Sequence, residues 1–243
     1  MQVAIVTGAS RGIGAATARL LGARGYAVAV CYQSQRGKAD NVVADITGGG
    51  GKAFAVQADM GVEDEIARLF TTVDKELGPV TALVNNAALN RTHGSGTVEE
   101  MPWELVESVF RTNVFGVFAA CREAVKRMKQ TGGGIVNISS EAGRFGGNKM
   151  AHYAASKAAI NTFTVAFARE VAGQGIRVNA VSPGVIDTDA HSASTPERLA
   201  AFRASLPMGR MGSPEEVAET IAWLLSEAAS YVSGSLLSVT GAR

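Results

Sequence analysis

Short Val-, Ile- and Ala-rich runs alternate with longer helical patterns along the whole chain, and this alternation restricts the fold more than any other feature. The apolar runs fall near residues 2–6, 26–32, 52–57, 80–84, 133–138, 175–181 and 235–239. Helical patterns fall near 12–23, 37–47, 62–77, 102–129, 151–172 and 214–226, with a shorter one after Pro196. The runs are continuously apolar rather than alternating, which marks strands of a parallel sheet covered on both faces. The expected architecture is therefore α/β, a doubly wound, Rossmann-like sheet of seven parallel strands. No linker, repeat or charge block divides the 243 residues, so one domain spans 1–243. In such a sheet a ligand binds at the carboxyl ends of the strands, near the point where the strand order reverses.

Composition narrows the partners. A formal net charge of +1 argues against nucleic acid and anionic membranes, which call for a basic excess. Cys31 and Cys121 sit in apolar surroundings with no metal-type spacing, as buried thiols in a reducing compartment do. The N-terminus passes directly into the strand-like Val3-Ala4-Ile5-Val6, without a charged leader. No apolar stretch reaches the roughly eighteen residues of a membrane span. The expectation is a soluble, cytoplasmic protein.

The residues after the strands carry the chemistry. Thr7-Gly8-Ala9-Ser10-Arg11-Gly12-Ile13-Gly14 follows the first strand and opens the first helix. Its glycines allow a tight turn that sets backbone amides against a pyrophosphate at the helix N-terminus. The spacing differs from the common G-x-G-x-x-G, and a plain βα turn is the competing explanation. After the second strand, Tyr32-Gln33-Ser34-Gln35-Arg36 offers no acid for a ribose diol before Asp40. Arg11, Arg36 and Ser34 suit a 2′-phosphate instead, which points to NADP(H); a solvated loop charge is the alternative for Arg36. Further on, Tyr153 and Lys157 lie four apart, on one helical face. An ammonium there is expected to lower the phenol pKa from its ordinary value of ~10. Ser140 follows the strand Gly134 to Ile138 and is placed to meet that face. A polariser, a proton donor and a pKa tuner together suit the handling of a carbonyl or alcohol oxygen while a hydride moves.

Together the glycine turn and the Tyr-Lys pair resemble the short-chain dehydrogenase/reductase family, from Gln2 to the C-terminus. The resemblance implies that Asp59, with Met60, contacts the adenine side of the cofactor. Asn85-Asn86-Ala87 matches the stretch after the fourth strand, although Ala88 stands where the family usually has Gly. Asn113 matches the family asparagine whose local helix distortion and bound water link the Lys to solvent. Ser140, Tyr153 and Lys157 match the catalytic trio, with Ser139 as the inactive neighbour. Pro183, Gly184, Ile186 and Thr188 match the turn that holds the nicotinamide carboxamide.

Substrate identity is less constrained. The segments Leu89 to Gly96, Glu141 to His152 and Asp187 to Ser213 are expected to line the pocket, with the last acting as a lid. They carry Asn90, Arg91, His93, Glu141, Arg144, Asn148, Lys149, His152 and His191, which favours a small polar carbonyl or alcohol. His152 points roughly 100° away from Tyr153 and is expected at the pocket rim or in solvent. The histidines do not cluster, so no metal is assigned. Reduction of 3-oxoacyl chains on acyl carrier protein is the second reading. Relatives with that activity place arginines in the turns before strands five and six, whereas Lys129 to Gly132 and Gly173 to Gly175 contain none. A dinucleotide-binding sensor is the alternative of another class, disfavoured because the Tyr and Lys are both kept. Helices 102–129 and 151–172 are apolar over much of their circumference, and the resemblance implies a homotetramer built on them.

Overall fold

The computed structural model describes residues 1–89, 96–188, 202–204, 206 and onward to 242. Seven strands form one parallel sheet in the order β3-β2-β1-β4-β5-β6-β7. They are β1 (Val3–Val6), β2 (Ala27–Tyr32), β3 (Lys52–Gln57), β4 (Ala82–Asn85), β5 (Gly133–Ile138), β6 (Ile176–Pro183) and β7 (Leu236–Val239). The α-helices among the described residues include α1 (Gly12–Ala23), α2 (Arg36–Gly48), α3 (Glu63–Glu76), α4 (Trp103–Phe110), α5 (Gly116–Met128), α6 (Ala142–Phe145), α7 (Ala151–Val171) and α8 (Pro214–Leu225).

Side-chain alternation along β1 divides the core into two layers. Val3 and Ile5 join Leu69, Phe70, Ala120, Cys121 and Ile160 beneath α3, α5 and α7. Ala4 and Val6 join Leu21, Val42, Val217 and Ile221 beneath α1, α2 and α8. The four residues of β1 are buried, while edge strands β3 and β7 are only partly covered. The continuous apolar runs therefore mark the centre of the sheet, as expected for parallel strands wrapped on both sides.

One expected element is divided. The helical pattern over 102–129 resolves into α4 and α5, joined by a π-helical turn at Arg111–Phe115. The apolar periodicity continues through that turn, which is why it reads as one helix. Among the described residues no helix is long and apolar enough to cross a membrane. The short helix expected after Pro196 and most of the lid segment lie outside the described residues, as do Asn90, Arg91, His93 and His191.

Candidate active site

The sheet order reverses at β1, which pairs β2 on one side and β4 on the other. The glycine turn leaves β1 at this switch point. Gly8 (φ +62°) and Gly12 (φ +54°) occupy left-handed backbone that favours glycine. A Cβ on Gly8 would lie 2.9 Å from Ala87 Cα, and one on Gly14 would lie 2.5 Å from Asn86 Nδ2. The turn and the end of β4 thus pack backbone to backbone. Thr7, the first residue of the glycine turn, fastens the two: its Oγ1 accepts the amides of Asn86 and Ala87, both at 3.0 Å. Asn86 Nδ2 donates back to the carbonyls of Thr7 (2.9 Å) and Gly8 (3.0 Å). Arg11 caps α1 from an extended conformation with no side-chain hydrogen bond, leaving the first-turn amides for an anion. The far wall comes from the end of β6. Gly184 donates its amide to Val239 O (2.9 Å), Ile186 is buried, and Thr188 Cγ2 would lie 3.4 Å from a Cβ on Gly12. The segments expected at the two ends of one dinucleotide are therefore neighbours at the carboxyl edge of the sheet. This turn, which leaves the first amides of α1 without a side-chain cap, fits the pyrophosphate of a dinucleotide.

At the end where the adenine is expected, Ser10 is half-buried, while Arg11, Ser34 and Arg36 are exposed. Arg36 Nε lies 3.5 Å from Asp40, so α2's own acid competes for it. Asp59 accepts from Gly61 N (2.7 Å) and Gln33 Nε2 (2.8 Å), which fixes its carboxylate beside the end of β2. Met60 is buried, and its carbonyl oxygen occupies the space that a Cβ on Gly116 would need.

The reactive end is built by β5, α6 and α7. Lys157 is buried and donates from Nζ to Ile138 O (2.6 Å), while Ser139 Oγ donates to Lys157 O (3.2 Å). Strand end and helix are thereby clasped at both the head and the root of the lysine. Ser140 Oγ accepts from Ala142 N (3.2 Å), and its hydroxyl is near enough to the Tyr153 phenol to pull the phenol pKa down against burial. Ser156 Oγ donates to Tyr153 O (2.7 Å) and receives Asn113 Nδ2 (3.1 Å). The amide of Asn113 also exchanges hydrogen bonds with the backbone of Leu89. Ser140, Tyr153, Lys157 and Asn113 thus form one connected group, although Asn113's side chain reaches α7 through Ser156 rather than through Lys157. The π-helical turn is the helix distortion that the resemblance implied at this residue.

Two expectations are corrected. The phenol of Tyr153 is not acidified in this state: burial raises its pKa, and the Ser140 hydroxyl is the opposing influence. Lys157 Nζ sits 5.7 Å from the ring centroid, and burial lowers the lysine itself to about 8. His152 does not face solvent. It is 4% exposed, neither ring nitrogen has a hydrogen-bond partner among the described residues, and burial lowers its pKa.

The lysine shift sets a pH dependence. Between about 8 and the ordinary 10.5, the unfolded chain holds a proton at Lys157 that the folded chain has released. Stability contributed by this group therefore rises with pH across that window, by at most about 1.4 kcal/mol per pH unit for one proton. Tyr153, Cys31 and Cys121, raised by burial, act in the opposite sense at alkaline pH. Comparison with Lys157→Met cancels them. The unfolding free energy of the parent, minus that of the variant, is expected to climb from pH 8 to 10; a flat difference in urea titrations contradicts the shift.

Known proteins share this sequence and fold. Residues 8–241 match the family model described as Enoyl-(Acyl carrier protein) reductase. The chain is 49% identical over 249 residues to Uncharacterized oxidoreductase YgfF of Escherichia coli (strain K12), covering 100% of each. It is 42% identical to a 3-oxoacyl-(acyl-carrier-protein) reductase of Synechocystis sp. (strain ATCC 27184 / PCC 6803 / Kazusa), over 99% of this chain and 96% of the relative. The solved structure of LugOII, described as a promiscuous reductase that catalyses keto-reduction at C1 during lugdunomycin biosynthesis, superposes with a TM-score of 0.92. The match covers 99% of this chain and 96% of that one at 32% identity.

Proposed function

This chain belongs to the short-chain dehydrogenase/reductase family of oxidoreductases, and we propose that Ser140, Tyr153, Lys157 and Asn113 are the residues with which it reduces a small polar carbonyl. The clasp of Lys157 on the end of β5 carries this reading, because it docks the helix bearing Tyr153 against the strand end bearing Ser140. It brings two hydroxyls together at the carboxyl ends of β5 and β6, where one carbonyl oxygen can meet both. A bound nicotinamide supplies hydride to the carbonyl carbon. Ser140 holds the carbonyl oxygen and Tyr153 gives it a proton. A raised phenol pKa keeps that proton in place at neutral pH. Lys157, held by Ile138 O, stands where it can stabilise the phenolate left behind.

The cofactor we propose is NADP(H). Gly8, Ser10, Gly12, Ile13 and Gly14 would take the pyrophosphate, Arg11, Ser34 and Arg36 the 2′-phosphate, and Asp59 and Met60 the adenine side. Asn86 and Ala87 would border the ribose, and Pro183, Gly184, Ile186 and Thr188 the carboxamide. Arg11 has no acidic partner among the described ion pairs, so it supports this preference better than Arg36 does. NADPH is expected to bind about ten- to a hundredfold more tightly than NADH, and Arg11→Ala to remove most of that gap. Equal dissociation constants in the parent would dismiss the preference.

For the substrate, Glu141 follows Ser140 directly, and its Oε1 is fixed by Ser238 Oγ at 2.7 Å. A carboxylate anchored there favours neutral, hydroxyl-bearing carbonyls over anionic ones. The second reading, 3-oxoacyl groups on a carrier protein, is favoured by the named activity of the Synechocystis relative. Steady-state assays with NADPH over neutral polar ketones, keto acids and a 3-oxoacyl carrier decide between them. Preference for the carrier substrate would establish the second reading; NADPH binding with no turnover of any would leave a sensor.

We also propose that copies of the chain pair through α4, α5 and α7. Phe115 and Phe118 are 63% and 50% exposed, and Phe118, Phe163 and Phe167 form a ladder with centroids 4.0 and 5.1 Å apart. The free edge of β7, with Leu236 exposed, suits a second contact that makes a tetramer. Light scattering is expected to give the mass of four chains; a monomer at micromolar concentration contradicts this.

A further inference from the structure

The structure assigns a positioning role to Gly143, resting on the reading of Ser140, Tyr153 and Lys157 as the reactive group. Gly143 is in the middle of α6, the single turn between Ser140 and α7. A Cβ placed on it would lie 2.7 Å from Lys157 C, 2.9 Å from Ala158 N and 2.9 Å from Lys157 Cβ. Two of these are backbone atoms of α7 and cannot swing aside, so any side chain must push α6 and α7 apart. The same residue is tied to the serine, because Gly143 N donates to Ser140 O (2.9 Å) and Ala142 N donates to Ser140 Oγ (3.2 Å). Gly143 is therefore a spacer. It holds the turn that orients the Ser140 hydroxyl in direct contact with the stretch of helix that carries Lys157, one turn beyond Tyr153. The left-handed backbone that makes glycine necessary elsewhere is not involved, since Gly143 is not among the positive-φ residues. Alanine would also be the better helix former. What the position excludes is volume, and the distance it protects is that between the two hydroxyls expected to share one carbonyl oxygen.

Separating Ser140 from Tyr153 by even a fraction of an ångström weakens the influence that favours the phenolate. Gly143→Ala is expected to lower kcat by about 10- to 100-fold while leaving NADPH affinity within about twofold, since the glycine turn is untouched. The alkaline limb of kcat for carbonyl reduction is expected to move to higher pH, because Tyr153 loses the partner that opposes burial. A purely structural role would leave that limb in place. Ser139→Ala loosens the same joint without adding volume, by removing the bond to Lys157 O. It is expected to shift the limb in the same direction with a smaller loss of kcat, and it decides the matter should the alanine variant at 143 not fold. Gly173→Ala, with no atom within 4 Å of its added Cβ, is the control expected to match the parent. Unchanged kcat and limb in folded Gly143→Ala overturn the inference. So does a limb fixed in Ser139→Ala, or a loss of NADPH affinity as large as the loss of kcat. A parent inactive on every carbonyl sinks the functional reading before any variant is compared, whereas an active parent with an indifferent Gly143→Ala sinks this inference alone.

Discussion

Tyr153→Phe is expected to lower turnover by roughly 10²–10⁴-fold, with NADPH binding within about twofold of the parent. The substitution removes one oxygen and keeps the ring, so packing on α7 is preserved. It takes away the proton donor and leaves the Ser140 hydroxyl without its phenol neighbour. Tyr153's backbone carbonyl still receives Ser156, and through it Asn113, so the helix stays in register with the π-helical turn. Binding is retained because the glycine turn, Asn86 and Thr7 form a separate set of contacts. A parallel loss of NADPH affinity and turnover in steady-state and fluorescence titrations would show that the phenol serves binding instead.

A second large effect is expected where chemistry is not involved. Gly116 begins α5 directly after the π-helical turn, and a Cβ there would collide with the carbonyl oxygen of Met60. A backbone carbonyl between a strand end and a helix has no rotamer by which to yield. Gly116→Ala is therefore expected to cost about 3 kcal/mol, lowering the melting point by roughly 6–12 °C. It is expected also to weaken cofactor binding, because Met60 adjoins Asp59 at the adenine end. Calorimetry and a dinucleotide titration on the same sample check both; an unshifted melting point would mean that α5 and the β3 loop can separate without cost.

These two residues illustrate what sequence does and does not carry. Tyr153 was legible because four-residue spacing on a helix is local, and Ser140 because it ends an apolar strand. Gly8, Gly12 and Gly14 were legible for the same reason, sitting between a strand and a helix. Gly116 and Gly143 were not, since each answers to a backbone atom distant in sequence. Thr7 was legible as the start of the glycine turn, but its hold on Asn86 and Ala87 was not, because that needs β4 beside β1. The apolar pattern alone did not show the split of 102–129, because a π-helical turn preserves it; only the resemblance, through Asn113, implied a distortion there. The direction of the Tyr153 shift was missed for another reason. Spacing shows that a lysine is near, but not that burial sets the direction of the shift, nor that Ile138 O holds the ammonium. His152 was misplaced likewise: helical geometry gave its angle from Tyr153, while what covers that face is a tertiary fact.

The central claim is that Tyr153 and Ser140 manage an oxygen while hydride passes from the nicotinamide of a dinucleotide bound at the glycine turn. The most direct measurement uses NADPH carrying deuterium at the nicotinamide C4, mixed with the parent chain and a small polar ketone. The account predicts deuterium on the carbinol carbon of the product, formed roughly 10²–10⁴-fold more slowly by Tyr153→Phe. Bound cofactor that keeps its label in the parent, or equal transfer by the phenylalanine variant, would contradict it.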